Sequence, residues 1–173
     1  MALLRNLDYE GIARIKSYPV APASTFLEGD FLTFDGSGRL QQTVGTGANY
    51  GSGKIMVGRA LENAVKDDGS LKTHVAVLVC EPGTRFKLPI YHGTPASAVF
   101  ASSTLGTAYE LRNTTGGFPA VDISQTSNTK VRVVDGTAEG YTGWPDVSGT
   151  SSTQYGEVWV EFIGTSCVLS TVS

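Results

Sequence analysis

The sequence predicts an all-β fold, a short-stranded β-barrel or sandwich made of two small β subdomains with an N-terminal arm. Three observations point there. Charged residues are only 17% and apolar residues 40% of the 173 positions, below the roughly 25% and 45–50% of average domains. Gly is abundant at 21 residues, as a turn-rich chain requires. Short β-prone runs recur about every ten residues between Gly, Asn and Asp turns, the rhythm of a sandwich or barrel.

The chain divides into an arm (residues 1–24), a first subdomain (25–93) and a small C-terminal barrel (94–173) that carries a long loop at 138–156. In the arm, Leu3, Leu4, Leu7, Tyr9 and Ile12 space out apolar side chains among charges. Several readings stay open: a short amphipathic helix from Leu3 to Ile12, marginal alone, a frayed terminus or first strand, or an arm that packs on a partner. Pro19 and Pro22 then interrupt any regular element, because proline lacks an N–H and restricts its neighbour. Phe31 to Phe34 is the first β-prone run; Asp35, Gly36 and Gly38 supply turn chemistry, and Arg39 to Thr43 returns as a hairpin. TGANYGSG follows as a flexible Gly-rich loop. KIMVGRALEN is the next strand, with Ile55, Val57 and Arg59 on one side. Asp67, Asp68 and Gly69 mark a turn. HVAVLVC is apolar on both alternating faces, which predicts a central buried strand. RFKLPIYHG alternates, but Pro89 predicts an edge or a bulge.

SAVFAS, TAYELRNT, FPAVDIS, KVRVVDG and GEVWVEFIGT continue the series. The last is the clearest, with Glu157, Trp159 and Glu161 on one face and Val158, Val160 and Phe162 on the other. The 138–156 loop is polar yet holds Tyr141, Trp144 and Tyr155. Loops this long in a compact domain are commonly functional. These aromatics either fold back on the barrel or form an interface loop toward another chain, since Trp and Tyr are favoured anchors.

Several functions lose their basis at this level. A net charge of −3 gives no electrostatic case for nucleic acid or an anionic membrane. No run approaches the roughly 18 apolar residues of a spanning helix. Arg5, Asp8 and Glu10 interrupt the start as a signal peptide, so an intracellular product is expected. The two cysteines, Cys80 and Cys167, form no metal spacing and read as buried thiols. His74 and His92 lie on different strands. GTGANYGSGKI fails as a phosphate loop, with Ala48 where the first Gly belongs and Ile55 where the magnesium-binding hydroxyl belongs. Asp67 with Asp68 is turn chemistry, and Glu157 with Glu161 is a solvated strand face. Asn113 begins a glycosylation sequon that carries no weight without a secretion signal. No catalytic residue, metal or cofactor is expected, and the chain reads as a protein that presents surfaces.

Two passages resemble a known family. FLEGDFLTFDGSGRLQQ, followed by KIMVGRALENAVKDDG and HVAVLVC, is similar to the strand pattern of the head decoration, or cement, proteins of tailed bacteriophages. LGTAYELRNTTGGFPAVDISQTSNTKVRVVDG with GEVWVEFIG looks like the small C-terminal barrel of several phage head proteins. The resemblance implies a structural virion protein, made in the host cytoplasm and located on the outer capsid surface. It implies a homotrimer that binds the major capsid protein at threefold positions and stabilises the mature head. By that analogy Leu3, Leu4, Leu7, Tyr9 and Ile12 bind the capsid. The alternative is a carbohydrate-binding or tail-fibre-type β module, with Trp144 and the loop tyrosines stacking on sugar rings.

Overall fold

The computed structural model describes residues 9–11, 13–42, 44–51, 54–94, 97–115, 117–141 and 155–167. It is all-β, with strands β1 (Tyr9–Glu10), β2 (Ile15–Pro19), β3 (Phe31–Phe34), β4 (Leu40–Gln41), β5 (Ala48–Asn49) and β6 (Met56–Ala60), then β7 (His74–Val79), β8 (Arg85–Tyr91), β9 (Ala108–Asn113), β10 (Pro119–Asp122), β11 (Val131–Tyr141) and β12 (Tyr155–Phe162). Short 3₁₀ turns occupy Ser102–Thr104 and Gly164–Ser166.

Strands β8, β10, β9, β11 and β12 form a closed barrel, because β12 returns to pair with β8 along Glu157–Glu161 against Pro89–Arg85. The β8–β10 pair is parallel and the others antiparallel. Its interior takes Leu88, Ile90, Leu111, Val121, Val131, Val133, Val158 and Val160. The other sheet runs β2-β7-β6-β3-β4. It curls until Val20, just past β2, bridges Leu40 on β4, with the Ala21 N–H donating to the Leu40 carbonyl at 2.8 Å. Val20, Phe26, Leu32, Leu40, Val57, Val75 and Val77 fill it.

These ladders cross the sequence-derived divisions. Strand β2, from the arm, joins the second sheet. Strand β8, from the first subdomain, is a barrel stave. The two-faced apolarity of HVAVLVC follows directly: Val75 and Val77 point into the core of their own sheet, while Leu78 and Cys80 point into the core shared with the barrel. Phe31 from β3 crosses the same seam. Its ring lies edge-on to Phe86 at 5.3 Å and to Phe162 at 5.1 Å, and those two rings meet each other edge-on at 5.7 Å.

Four local expectations change. Pro89 lies within a barrel stave, tolerated because its only ladder partner among the described residues is Glu157. SAVFAS forms no strand. It plugs the barrel instead: Gly136 pairs with the inward-facing Val158, and a Cβ on Gly136 would fall 2.5 Å from the Phe100 ring. One on Gly156 would fall 2.7 Å from the Phe100 nitrogen, so both glycines leave room for backbone and ring where a side chain would stand. The Gly-rich loop is pinned, with β5 adding to β9 and the buried Tyr50 hydroxyl donating to the Phe31 carbonyl at 3.3 Å. Ile55 precedes β6 and is exposed, while Arg59 is buried and donates from Nε to the Gly29 carbonyl at 3.0 Å.

Candidate functional site

Of the predicted arm residues, Leu3, Leu4, Leu7 and Ile12 lie outside the described residues. Tyr9 is described, and it stands in a strand rather than a helix: Tyr9 pairs with Phe86 and Glu10 with Arg85. The next residue, Gly11, explains the choice. Its φ is +93°, outside helical space, and a Cβ there would fall 2.3 Å from the Gly83 carbonyl oxygen. The chain passes this close over that turn because Gly11 has no Cβ. Tyr9 is 42% exposed and Ile15, at the start of β2, is 59% exposed. From Arg14 onward the chain is held firmly. The Arg14 carbonyl accepts from the Val79 N–H at 2.9 Å, its guanidinium meets Glu81 at 2.9 Å, and all of β2 pairs with β7.

The second candidate, the 138–156 loop, is shorter than the sequence suggests. Strand β11 runs on to Tyr141 and β12 begins at Tyr155, with these two residues opposite each other in the ladder and a register shift between Thr137 and Tyr141. Backbone pairing brings Tyr141 and Tyr155 together; Trp144 lies outside the described residues.

Next to β1 the outer barrel face carries a ladder of alternating charge. Glu10, Arg85, Glu161 and Arg132 occupy adjacent positions on β1, β8, β12 and β11. Arg85 Nε donates to Glu161 at 2.9 Å, and Glu10 stands 3.9 Å from the same guanidinium. The hydrogen bond to Glu161, with its charge, raises the Arg85 pKa. The predicted solvated pair Glu157 and Glu161 divides: Glu161 is half-buried, while Glu157 is buried against Lys87 Nζ at 2.9 Å.

A polar cluster that sequence reasoning missed holds β5 against the barrel. Asn49 Nδ2 donates to Glu110 and, at 3.3 Å, to Asp122. Arg112 donates to the Asn49 side-chain oxygen at 2.9 Å and to the Gly47 carbonyl, and its guanidinium lies 4.4 Å from the Tyr91 ring centroid. Asp122 also accepts from the Ser124 N–H at 3.1 Å. Its members come from four separate parts of the chain, so no local spacing signals it. These carboxylates fasten β5 and the chain beside it to β9 and β10.

The remaining chemical candidates are placed as follows. Cys80 and Cys167 are buried thiols not joined in a disulfide. Burial pushes the Cys80 thiol well up and that of Cys167 up to about 12, so both remain unreactive thiols at neutral pH. Asp68 accepts from the Ser70 N–H and hydroxyl, closing its turn. Asn113 is buried and donates to the Val44 carbonyl at 3.2 Å; in this fold its sequon amide is engaged. His74 is exposed, and His92 Nδ1 accepts from the Thr94 N–H at 3.0 Å. Among the described residues no group of three or more His, Cys, Asp or Glu is placed to hold a metal ion, and no helix is long and apolar enough to cross a membrane. Comparison with protein-family models, curated proteins and solved structures finds no match for this chain.

Proposed function

We propose that this chain is a structural protein of a bacteriophage head, a decoration protein that docks as a homotrimer on the outer capsid surface and stabilises the mature shell. The observation that carries the reading is the N-terminal segment. Its described residues 9–11 and 13–17 are exposed, Tyr9 and Ile15 among them, next to the strongly apolar Leu3, Leu4 and Leu7 in sequence. Backbone pairing by an extended arm supplies affinity without salt-sensitive ion pairs, which suits a chain with few charges. Three arms acting together convert weak contacts into strong attachment. Binding the assembled shell in preference to free subunits stabilises it by mass action. The major capsid protein is the partner in this reading, and Tyr9 with Leu3, Leu4, Leu7 and Ile12 is the contact.

A truncation tests the arm. The cut belongs before Tyr9, because removing residues 1–24 would also delete β2 and Val20, which complete the second sheet. The protein lacking residues 1–8 is expected to keep its circular dichroism and thermal transition and to lose binding to shells stripped of it. Undiminished binding overturns the role of Leu3, Leu4 and Leu7. In purified particles, about one copy per major capsid subunit is expected by quantitative mass spectrometry; absence from particles overturns the structural reading altogether.

A further inference from the structure

We infer that β1 is a releasable strand, docked on the chain's own β8 at rest and vacated when the arm engages its partner. The purpose of the device rests on the docking reading above; its mechanics do not. The anchoring of the chain changes abruptly within a few residues. Strand β1 has two ladder positions, both with exposed side chains. Its ion pair among the described residues, Glu10 with Arg85 at 3.9 Å, joins side chains 55% and 45% exposed, and such surface pairs contribute at most about 1 kcal/mol. Arg85 also keeps its closer partner, Glu161, whether or not Glu10 is present. Beyond Gly11 come the Arg14 carbonyl bond, the Arg14–Glu81 pair and five consecutive ladder positions on β7.

Arg85 and Phe86 use one edge of β8 for Glu161 and Val160 of β12, so β1 occupies the opposite edge. There it covers backbone groups that would otherwise offer a template for a foreign strand. Gly11 marks the pivot, at φ +93° against the Gly83 carbonyl. A segment that is to pair with a partner's backbone must first leave its own ladder. With two positions to break, the exchange of intramolecular for intermolecular pairs costs little, and the partner shifts an equilibrium that already exists.

Amide hydrogen exchange on the purified full-length protein tests the mechanics. The β1 N–H that bonds to β8 is expected to exchange at least about 100-fold faster than those of Lys16 and Tyr18, which face β7 in the phase set by the Val79 N–H bond to the Arg14 carbonyl, because its opening needs only local release. Equal protection overturns the inference. A staple tests the consequence: in Glu10→Cys/Arg85→Cys the two thiols face each other across the ladder, at a spacing a disulfide spans. The oxidised protein is expected to remain folded and lose shell binding, and reduction is expected to restore it. Equal binding by oxidised and reduced forms overturns release as a requirement while leaving the docking reading intact. If the unmodified protein itself fails to bind shells, the docking reading falls, and the exchange rates alone decide whether β1 is releasable.

Discussion

The barrel and the second sheet solve the same problem, an open sheet edge, by different means. The barrel closes through a full ladder, with β12 pairing to β8 at five consecutive positions. The second sheet closes through one bridge, Val20 to Leu40, reinforced by the Ala21 bond to the Leu40 carbonyl. A ladder closure distributes its hydrogen bonds over a length of strand. A single-bridge closure depends on side chains packed beneath it, here Leu40, Val20 and Phe26. The second sheet therefore depends on its neighbours: Phe31, Met56, Leu78 and Cys80 all belong to the core it shares with the barrel. The weaker closure is supported from the side of the stronger one.

The largest expected effect tests that dependence. Phe86→Ala empties the centre of the edge-on triad formed with Phe31 and Phe162. A buried Phe→Ala change costs about 3–5 kcal/mol, so denaturant unfolding should shift to lower midpoint as a single transition seen equally by probes in both sheets. Two separated transitions would show that the sheets fold independently and that the seam is mere contact.

A pair of glycine substitutions sharpens the contrast. A Cβ on Gly58, in β6, would fall 2.2 Å from the Leu78 carbonyl oxygen and 2.5 Å from Val77 Cγ1. The first obstacle is backbone in β7, paired on both sides by β2 and β6, and cannot swing away. Gly58→Ala is expected to destabilise by about 2–3 kcal/mol, at the upper end of overpacking costs. At Gly136 the nearest atoms belong to the Phe100 ring at 2.5 Å, a side chain rather than backbone, with the Glu157 carbonyl oxygen at 3.0 Å. Gly136→Ala is expected to cost about 1 kcal/mol. Measured by urea unfolding, the reverse order would mean that the plugged barrel is the more tightly packed unit.

What the sequence made legible, and what it hid, follows the same divide between local and distant partners. The Phe31–Phe34 hairpin was readable because its turn carries its own chemistry: Asp35 accepts from the N–H groups of Ser37 and Arg39 at 2.8 and 2.9 Å. Strand β12 was readable because Val158, Val160 and Phe162 alternate into one core. The all-β class follows from such runs. Strand β5 was hidden, since two residues carry no period and its anchors, Glu110 and Arg112, lie some sixty positions away. SAVFAS looked like a strand because the glycines that admit it, Gly136 and Gly156, sit in other elements. Glu157 looked solvated because Lys87, which covers it, belongs to another stave. In the candidate site, the apolar arm was visible as composition, but the pairing of Tyr9 with Phe86 was not. A two-residue ladder is decided by an available edge, not by the strand's own pattern.

The smallest effect is a selective response to acid. Asp35, Glu62 and Asp68 all belong to the second sheet and its turns, and all three titrate below the ordinary carboxylate range. For Asp35 the main cause is the Arg39 N–H; for Glu62 it is the Lys72 ammonium, followed by the Ala76 N–H; for Asp68 it is the Ser70 hydroxyl, followed by the Ser70 N–H. A carboxylate with a depressed folded-state pKa contributes stability that is complete above its unfolded value, about 3.9 for Asp and 4.3 for Glu. That contribution is lost as pH falls through the folded value. As pH falls below about 4 and through the depressed values of Asp35 and Asp68, their turns should therefore loosen, while the five backbone ladder positions of the β8–β12 closure persist. Amide exchange corrected for its intrinsic pH dependence should show Ser37, Arg39 and Ser70 losing protection first. Uniform loss across both sheets would mean that the shared core couples them so tightly that the single-bridge closure is no weaker than the ladder.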